Sequence, residues 1–385
     1  MITMENKQRV KTIAVIFIIA IVLISLITEF LYIFNNKYTY NKLQPEKGVL
    51  TLSQEEIDSN PFHFLIKDWE FYEDALLTPT YFKNQTSLPN MKYVSIGDTE
   101  SAYTSQTKNN TFIGTYRMKI NFPEKEGFYA LEMPQVYSAY ELYINDKLYL
   151  KVGDTHNYKA QIQNRCTFFT ASGETYITIA VKDASGIKAG ITSPPTLGKP
   201  YSINITRAFK FLINNFIMTL IFFGALFSLI LAISGKSNYS YMFFFMCLIY
   251  AVYLNHPLIN LCFSMGGNFS YIFEYFCTHF VYLMVIMLQN RLCNLNKNVS
   301  SISEICGSVF CAIAFVYGVF TPYLSAPLCT FLSTLCNVFE WLAAIYLVAI
   351  GTYAVFNDIK YGRIFLFGNV CFVASLLLYI IQPLY

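Results

Sequence analysis

Charge is what this 385-residue sequence most lacks. Lys, Arg, Asp and Glu make up 13% of it, against about a quarter in an ordinary soluble domain. The shortage is uneven: thirty-six of these residues fall in 35–208, five before that span and only ten after it. A wholly soluble enzyme, a disordered scaffold and a collagenous or coiled-coil protein are all excluded. Basic excess is lacking too, with a net charge of +3 and no Lys/Arg run, so nucleic acid is not an expected partner. Cysteine is scarce in the charged segment, where Cys166 stands alone, and no internal disulfide is expected there. The other nine begin at Cys247 and lie mostly in apolar runs, where Cys acts as a small hydrophobe. No CxxC pair, glycine-rich nucleotide loop, phosphoacceptor histidine or paired-carboxylate cyclase motif is present. Neither a metal nor a cofactor is expected, and the chain reads as no enzyme.

What is abundant is apolar sequence, at 55%. The first run, 13–34, follows Lys7, Arg9 and Lys11 and is long enough to cross a bilayer. No small-x-small cleavage site follows it, so it reads as a retained signal anchor rather than a cleaved signal peptide. Six more helices are expected at 209–233, 239–254, 269–288, 305–320, 328–356 and 364–384. Alternate loops carry Lys236, then Arg291 and Lys297, then Lys360 and Arg363, whereas 255–268 and 321–327 carry no Lys or Arg. That alternation satisfies the positive-inside rule at every loop. The expected organisation is a cytoplasmic N-terminus (1–11), a membrane anchor (12–34), an extracellular domain (35–208) and a six-helix membrane region (209–385) in a multi-pass cell-membrane protein.

The extracellular segment has the period-two pattern of strands. Ile177, Ile179 and Val181 share one face of 175–181, and Asn145-Asp146 joins two strands at 141–144 and 147–150 as a hairpin. Stretches 112–122 and 128–133 read as two further strands. An antiparallel β-sandwich of jelly-roll type, joined to an α-helical transmembrane bundle, is the expected fold class.

Several stretches resemble a known family. Asp68-Trp69-Glu70-Phe71-Tyr72, Leu76-Leu77-Thr78-Pro79, Tyr81-Phe82, Gly114-Thr115-Tyr116-Arg117, the run from Ser138 to Asn145, Val152-Gly153 and Leu197-Gly198 are similar, in that order, to the outer domain of bacterial seven-transmembrane receptors with diverse intracellular signalling modules. That domain is a jelly roll like galactose-binding carbohydrate modules. The resemblance implies a receptor that binds an extracellular small molecule, with carbohydrate as the candidate class, and passes the signal through its helices. The chain departs from the family in having six helices after the outer domain instead of seven, and no kinase, cyclase or phosphatase segment. Counting crossings returns residue 385 to the outside. The expectation is a truncated or split receptor, or one that signals through a cytoplasmic partner at the inner loops 288–304 and 357–363.

Candidate ligand residues are Trp69, Tyr137, Tyr140 and Tyr143, whose rings could stack on a sugar. Against this, Trp69 lies in an alternating strand and reads as a core anchor. His63 and His156 are isolated and read as solvated loop residues rather than metal ligands. Within the apolar region Glu274, His279 and Glu340 stand out, because charge there is costly, while Asn214 and Asn215 read as interhelical hydrogen-bonding residues. The expected partners are an extracellular small-molecule or carbohydrate ligand, the lipid bilayer and a cytoplasmic signalling protein. The alternative is a membrane transporter or membrane-embedded enzyme that uses Glu274, His279 and Glu340.

Overall fold

Alternation of apolar and polar residues dictates the first layer of structure. In the computed structural model, which describes residues 4–35, 43–84, 90–96, 112–184, 189–235, 239–263 and 267–381, that alternation becomes two facing sheets. The first helix, α1, runs Met4–Asn35. Strands β1 (Val49–Thr51), β2 (Phe62–Phe64), β3 (Trp69–Glu73) and β4 (Met91–Val94) follow, with short helices α2 (Gln54–Ser59) and α3 (Pro79–Asn84) among them. Then come β5 (Phe112–Asn121), β6 (Gly127–Met133), β7 (Ala139–Ile144), β8 (Lys147–Val152), β9 (Arg165–Ala171), β10 (Glu174–Asp183) and β11 (Thr196–Gly198).

One sheet has seven strands in the order β4-β3-β5-β10-β7-β8, with β1 added parallel to β5. The other has four, in the order β2-β11-β6-β9. All pairings except β1–β5 are antiparallel. Ile177, Ile179 and Val181 are fully buried between the sheets with Trp69, Tyr116, Met118, Leu131, Met133 and Leu142. The β7–β8 hairpin turns at Asn145, whose φ of 52° is a left-handed conformation that Asn tolerates. Its carboxamide oxygen accepts from the Tyr176 amide at 2.8 Å, tying the turn to β10.

Two glycines in the ordered motif have a physical reason. At Gly153 φ is +76°, and an added Cβ would lie 2.2 Å from the Lys159 carbonyl oxygen. At Gly198 a Cβ would meet the Pro61 carbonyl at 2.6 Å. Both positions therefore exclude a side chain.

Beyond the sandwich stand six long helices among the described residues: α4 (Pro200–Ile233), α5 (Ser240–Phe263), α6 (Gly267–Leu292), α7 (Lys297–Phe320), α8 (Ala326–Phe356) and α9 (Gly362–Ile381). Stretches Lys7–Glu29, Pro200–Ile233, Lys297–Phe320 and Pro327–Phe356 are long and apolar enough to cross a membrane, while Ser240–Asn255 and Gly362–Ser375 are shorter apolar segments. Their surfaces agree with their composition. Phe216 is 65% exposed and Ile233 72% exposed, among many other exposed large apolar side chains on these helices.

Several helices begin earlier or run longer than the apolar runs alone imply. α4 starts at Pro200 rather than 209, so the division expected at 208 falls inside a helix. Its first two turns are polar, but proline suits the first helical position and Ile203 is buried. α7 starts at Lys297 rather than 305, because the Asn296 side chain accepts from the Asn298 amide as an N-cap. α5 continues through Pro257 to Phe263, so the loop expected at 255–268 is mostly helix.

Candidate functional site

The register of the seven-stranded sheet assembles two rows on its outward face. Glu70, Arg117, Thr178 and Tyr143 lie side by side across β3, β5, β10 and β7. The next row is Tyr72, Thr115, Ala180, Glu141 and Lys151. Small residues therefore form the middle, and ionisable and aromatic residues form two flanks.

On one flank Arg117 is clamped between rings, its guanidinium carbon 4.3 Å from the centroids of both Phe82 and Tyr176. Glu70 lies 3.5 Å from that guanidinium and accepts from the Tyr72 hydroxyl at 3.0 Å. Burial, reinforced by Glu70, pushes Tyr72 up to about 12, so it stays a donor. The segment leading to α3 lies over the small residues: the Leu77 amide donates to Thr115 Oγ1 at 2.8 Å, and that hydroxyl donates to the Ala75 carbonyl at 2.7 Å.

The other flank centres on Glu141, which is 9% exposed. Its carboxylate accepts from the Tyr143 hydroxyl at 2.6 Å and Thr155 Oγ1 at 3.3 Å, and pairs with Lys151 at 3.1 Å. Burial alone would raise its pKa, but these three donors outweigh it and hold the group below its ordinary value. Tyr143 is pushed up to about 12 by burial and by Glu141. A carboxylate held ionised and fixed in this way suits acceptance of a hydroxyl group from a ligand better than shuttling protons.

The four aromatic candidates divide by strand parity. Trp69 and Tyr140 are fully buried in the core, and the Trp69 indole donates to the Leu65 carbonyl at 3.0 Å. Neither presents a ring face to solvent, which corrects the stacking role considered for them. Tyr137 is buried at 8% exposure. Tyr143 alone of the four lies on the outward face. The clamp of Arg117, Phe82 and Tyr176 escaped the sequence reading because its members come from β5, α3 and β10, distant in sequence. Pairing of β5 with β10 sets Tyr176 diagonally across from Arg117, two residues along β10 from its partner Thr178.

His63 is not a solvated loop residue. It lies in β2, is 3% exposed, and among the described residues neither ring nitrogen has a hydrogen-bonding partner. Burial lowers its pKa, with Glu56 opposing more weakly. His156 does sit in an exposed turn, its amide donating to Asp154 at 2.9 Å. Among the described residues no three His, Cys, Asp or Glu side chains converge as a metal site would need.

At the sandwich–helix junction a single residue, Lys199, separates β11 from α4. β11 is held on both sides, by β2 and β6. Arg207 on α4 pairs with Glu132 on β6 at 3.5 Å, and Asn164 donates to the same carboxylate at 3.2 Å. Only about 10 Å³ remains between these surfaces, bordered by Phe62, Phe64 and Ile203, room for about one water.

Among the helices, His279 of α6 and Glu340 of α8 approach to 3.9 Å. The His279 ring lies beside Phe339 and Tyr275, and its Nδ1 is 3.0 Å from the Tyr275 carbonyl. Glu274 lies in α6, but its side chain is outside the described residues. Asn214 donates to the Leu254 carbonyl on α5 at 3.4 Å, whereas Asn215 bonds back to Phe211 within α4. A second polar seam was not anticipated, since it uses amides instead of charges. Gln289 and Asn369 exchange hydrogen bonds at 2.6 and 2.9 Å, and Tyr346 donates to Asn290 at 2.8 Å.

The chain thus combines a β-sandwich with long apolar helices, four of which, among the described residues, are long and apolar enough to cross a membrane. No protein-family model and no curated protein matches it. Among solved structures it is similar to a β-glucuronidase of Faecalibacterium prausnitzii, at 15% identity and TM-score 0.26, covering 35% of this chain and 31% of that one. It is also similar to a GH2 β-galacturonidase from Eisenbergiella tayi bound to galacturonate, at 11% identity and TM-score 0.25, covering 36% and 24%. The likeness is partial and of β-sandwich type, and the chain spans less than a third of the length of either enzyme.

Proposed function

We propose that this protein is a membrane-bound sensor: the sandwich takes up an extracellular small molecule of carbohydrate type, and the helical bundle carries the response to a cytoplasmic partner. The resemblance to bacterial seven-transmembrane receptors is consistent with this reading. The observation that carries it is the junction. A strand hydrogen-bonded on both edges runs into α4 through one residue, and Arg207 fastens the helix back onto the same sheet. A change in the sheet is thereby delivered to the helix with little slack. An anchor alone would need only a loose tether.

The proposed ligand face is the Glu141–Tyr143–Lys151–Thr155 flank, where fixed acceptors and donors suit hydroxyl groups. Its carboxylate is held ionised by three donors, so it keeps acceptor capacity for a ligand hydroxyl but has no proton to transfer, which favours binding over catalysis. The test uses the full chain in lipid nanodiscs against a panel of neutral mono- and oligosaccharides. A sugar that raises the melting temperature is expected to lose that effect in Glu141→Gln and Tyr143→Phe. Inserting two glycines after Lys199 is expected to preserve binding but abolish sugar-dependent changes in labelling of the loop around Lys360. No response to any sugar, or an insertion without consequence, overturns the proposal.

A second reading rests on the His279–Glu340 pair, which places two ionisable side chains together among apolar helices. Proton-coupled uptake in proteoliposomes that disappears in Glu340→Gln would favour a transporter.

A further inference from the structure

The end of the bundle that carries Lys11, Lys360 and Arg363 holds a groove that the sensor reading leaves unused. α1 packs along α9, with Ala20 fully buried against Val355, Leu366 and Val370. Above this contact the two helices part and leave an open groove of about 490 Å³. Its walls are one stripe of α1, including Lys11, Thr12 and Val15, and one of α9, including Arg363, Ile364 and Phe367.

The order of chemistry along the groove is specific. Both helices start at the basic end and run in the same direction, so residue number measures depth on both. Lys11, Thr12 and Arg363 form the mouth. Val15 lies about 6 Å deeper than Lys11, at ~1.5 Å per residue, and Phe367 lies a turn beyond Arg363. The site therefore offers two cations above an apolar slot, while the Thr12 hydroxyl donates to the Gln8 carbonyl at 3.0 Å.

The cations are also uncommitted. Arg9, on another side of α1, is bound to Asp358 and to the Phe356 carbonyl. Among the described residues Lys11 and Arg363 make no ion pair, although both border the groove. Two unneutralised cations at the rim of an apolar slot call for an anion attached to an apolar body. A soluble anion would leave the slot empty, and an uncharged lipid would leave the cations unanswered.

We infer that the groove between α1 and α9 binds one phospholipid with an anionic headgroup, its phosphate between Lys11 and Arg363 and an acyl chain along Val15, Ile364 and Phe367. The occupant is drawn from the leaflet on the basic side, which the positive-inside rule makes cytoplasmic. This inference rests on the membrane reading above.

The test uses the full chain, reconstituted in nanodiscs of phosphatidylcholine with or without phosphatidylglycerol and then examined by native mass spectrometry. One phosphatidylglycerol is expected to be retained in preference to phosphatidylcholine. Each cation neutralised, in Lys11→Gln and Arg363→Gln, is expected to cut that preference roughly fivefold. Lys11→Arg with Arg363→Lys is expected to keep it, which separates charge from fold. Helical circular dichroism identifies any variant that fails to fold; the conservative pair then decides the question. Equal retention of both lipids, or an unchanged preference in the neutral variants, overturns the site. Equal stabilisation by inorganic phosphate alone does so as well. Release of the chain from membranes by carbonate wash would instead overturn the membrane reading.

Discussion

His63 illustrates how much a single buried side chain can couple to pH. Its folded pKa is lowered by burial, so between about pH 6.5 and that lower value the unfolded chain binds the extra proton. Stability is complete above about pH 6.5 and is lost as pH falls through this window. Hydrogen exchange of β2 and β11 is expected to accelerate, after correction for intrinsic rates, between pH 7.5 and 5.5. The His63→Leu variant should show a smaller change, and equal acceleration in both proteins would count against the assignment. Glu141 acts in a different window: its lowered pKa adds stability that persists above the ordinary carboxylate value and fades only below about pH 4.3. Gly153 makes a separate prediction. Ala there combines a positive φ with a clash at the Lys159 carbonyl. A loss of more than ~1 kcal/mol is expected, read as faster exchange at β7 and β8.

At the scale of elements, strands were legible because their faces alternate. The runs 112–122, 128–133 and 175–181 fall on β5, β6 and β10. What alternation leaves open is which parity faces inward. That is why Tyr140 and Tyr143 looked alike as stacking rings although Tyr140 is core, whereas Trp69, read as a core anchor, is one. Helix ends were less legible, since the polar first turns of α4 and α7 are fixed by a cap, a proline and contact with the sandwich rather than by hydropathy. The candidate ligand face was legible only as scattered residues. Glu141 and Arg117 gain meaning from pairing between strands distant in sequence. The junction offers a test at this same scale. Arg207→Glu should weaken packing of α4 on β6, and combining it with Glu132→Arg should restore part of the loss. A coupling of about 1 kcal/mol is expected for a pair this accessible, measured as a double-mutant cycle on unfolding.

For the whole molecule, the distribution of charge makes a prediction about sidedness. Cysteine placed at Asn145 should react with a membrane-impermeant reagent in intact cells, and cysteine at Lys360 should react only after permeabilisation. Both sites are exposed, so a reversed result would indicate inverted topology rather than inaccessibility. The apolar runs were legible in the sequence as long helices, and the labelling pattern decides their sidedness. The partnership of the first helix with the last was not legible, because hydropathy says nothing about which helices touch.

That partnership has a consequence for time. Arg9 of α1 bonds to Asp358, a residue 349 positions later. At about 5–20 residues per second, synthesis of the intervening chain takes on the order of twenty seconds to a minute. Throughout that interval α1 has no native protein neighbour on its α9 face. On the proposed membrane reading, its first companion at that surface comes from the lipid or the insertion machinery and later gives way. On that reading α1 waits for its partner through the synthesis of 349 residues, and a ribosome stalled before α9 would leave α1 without it.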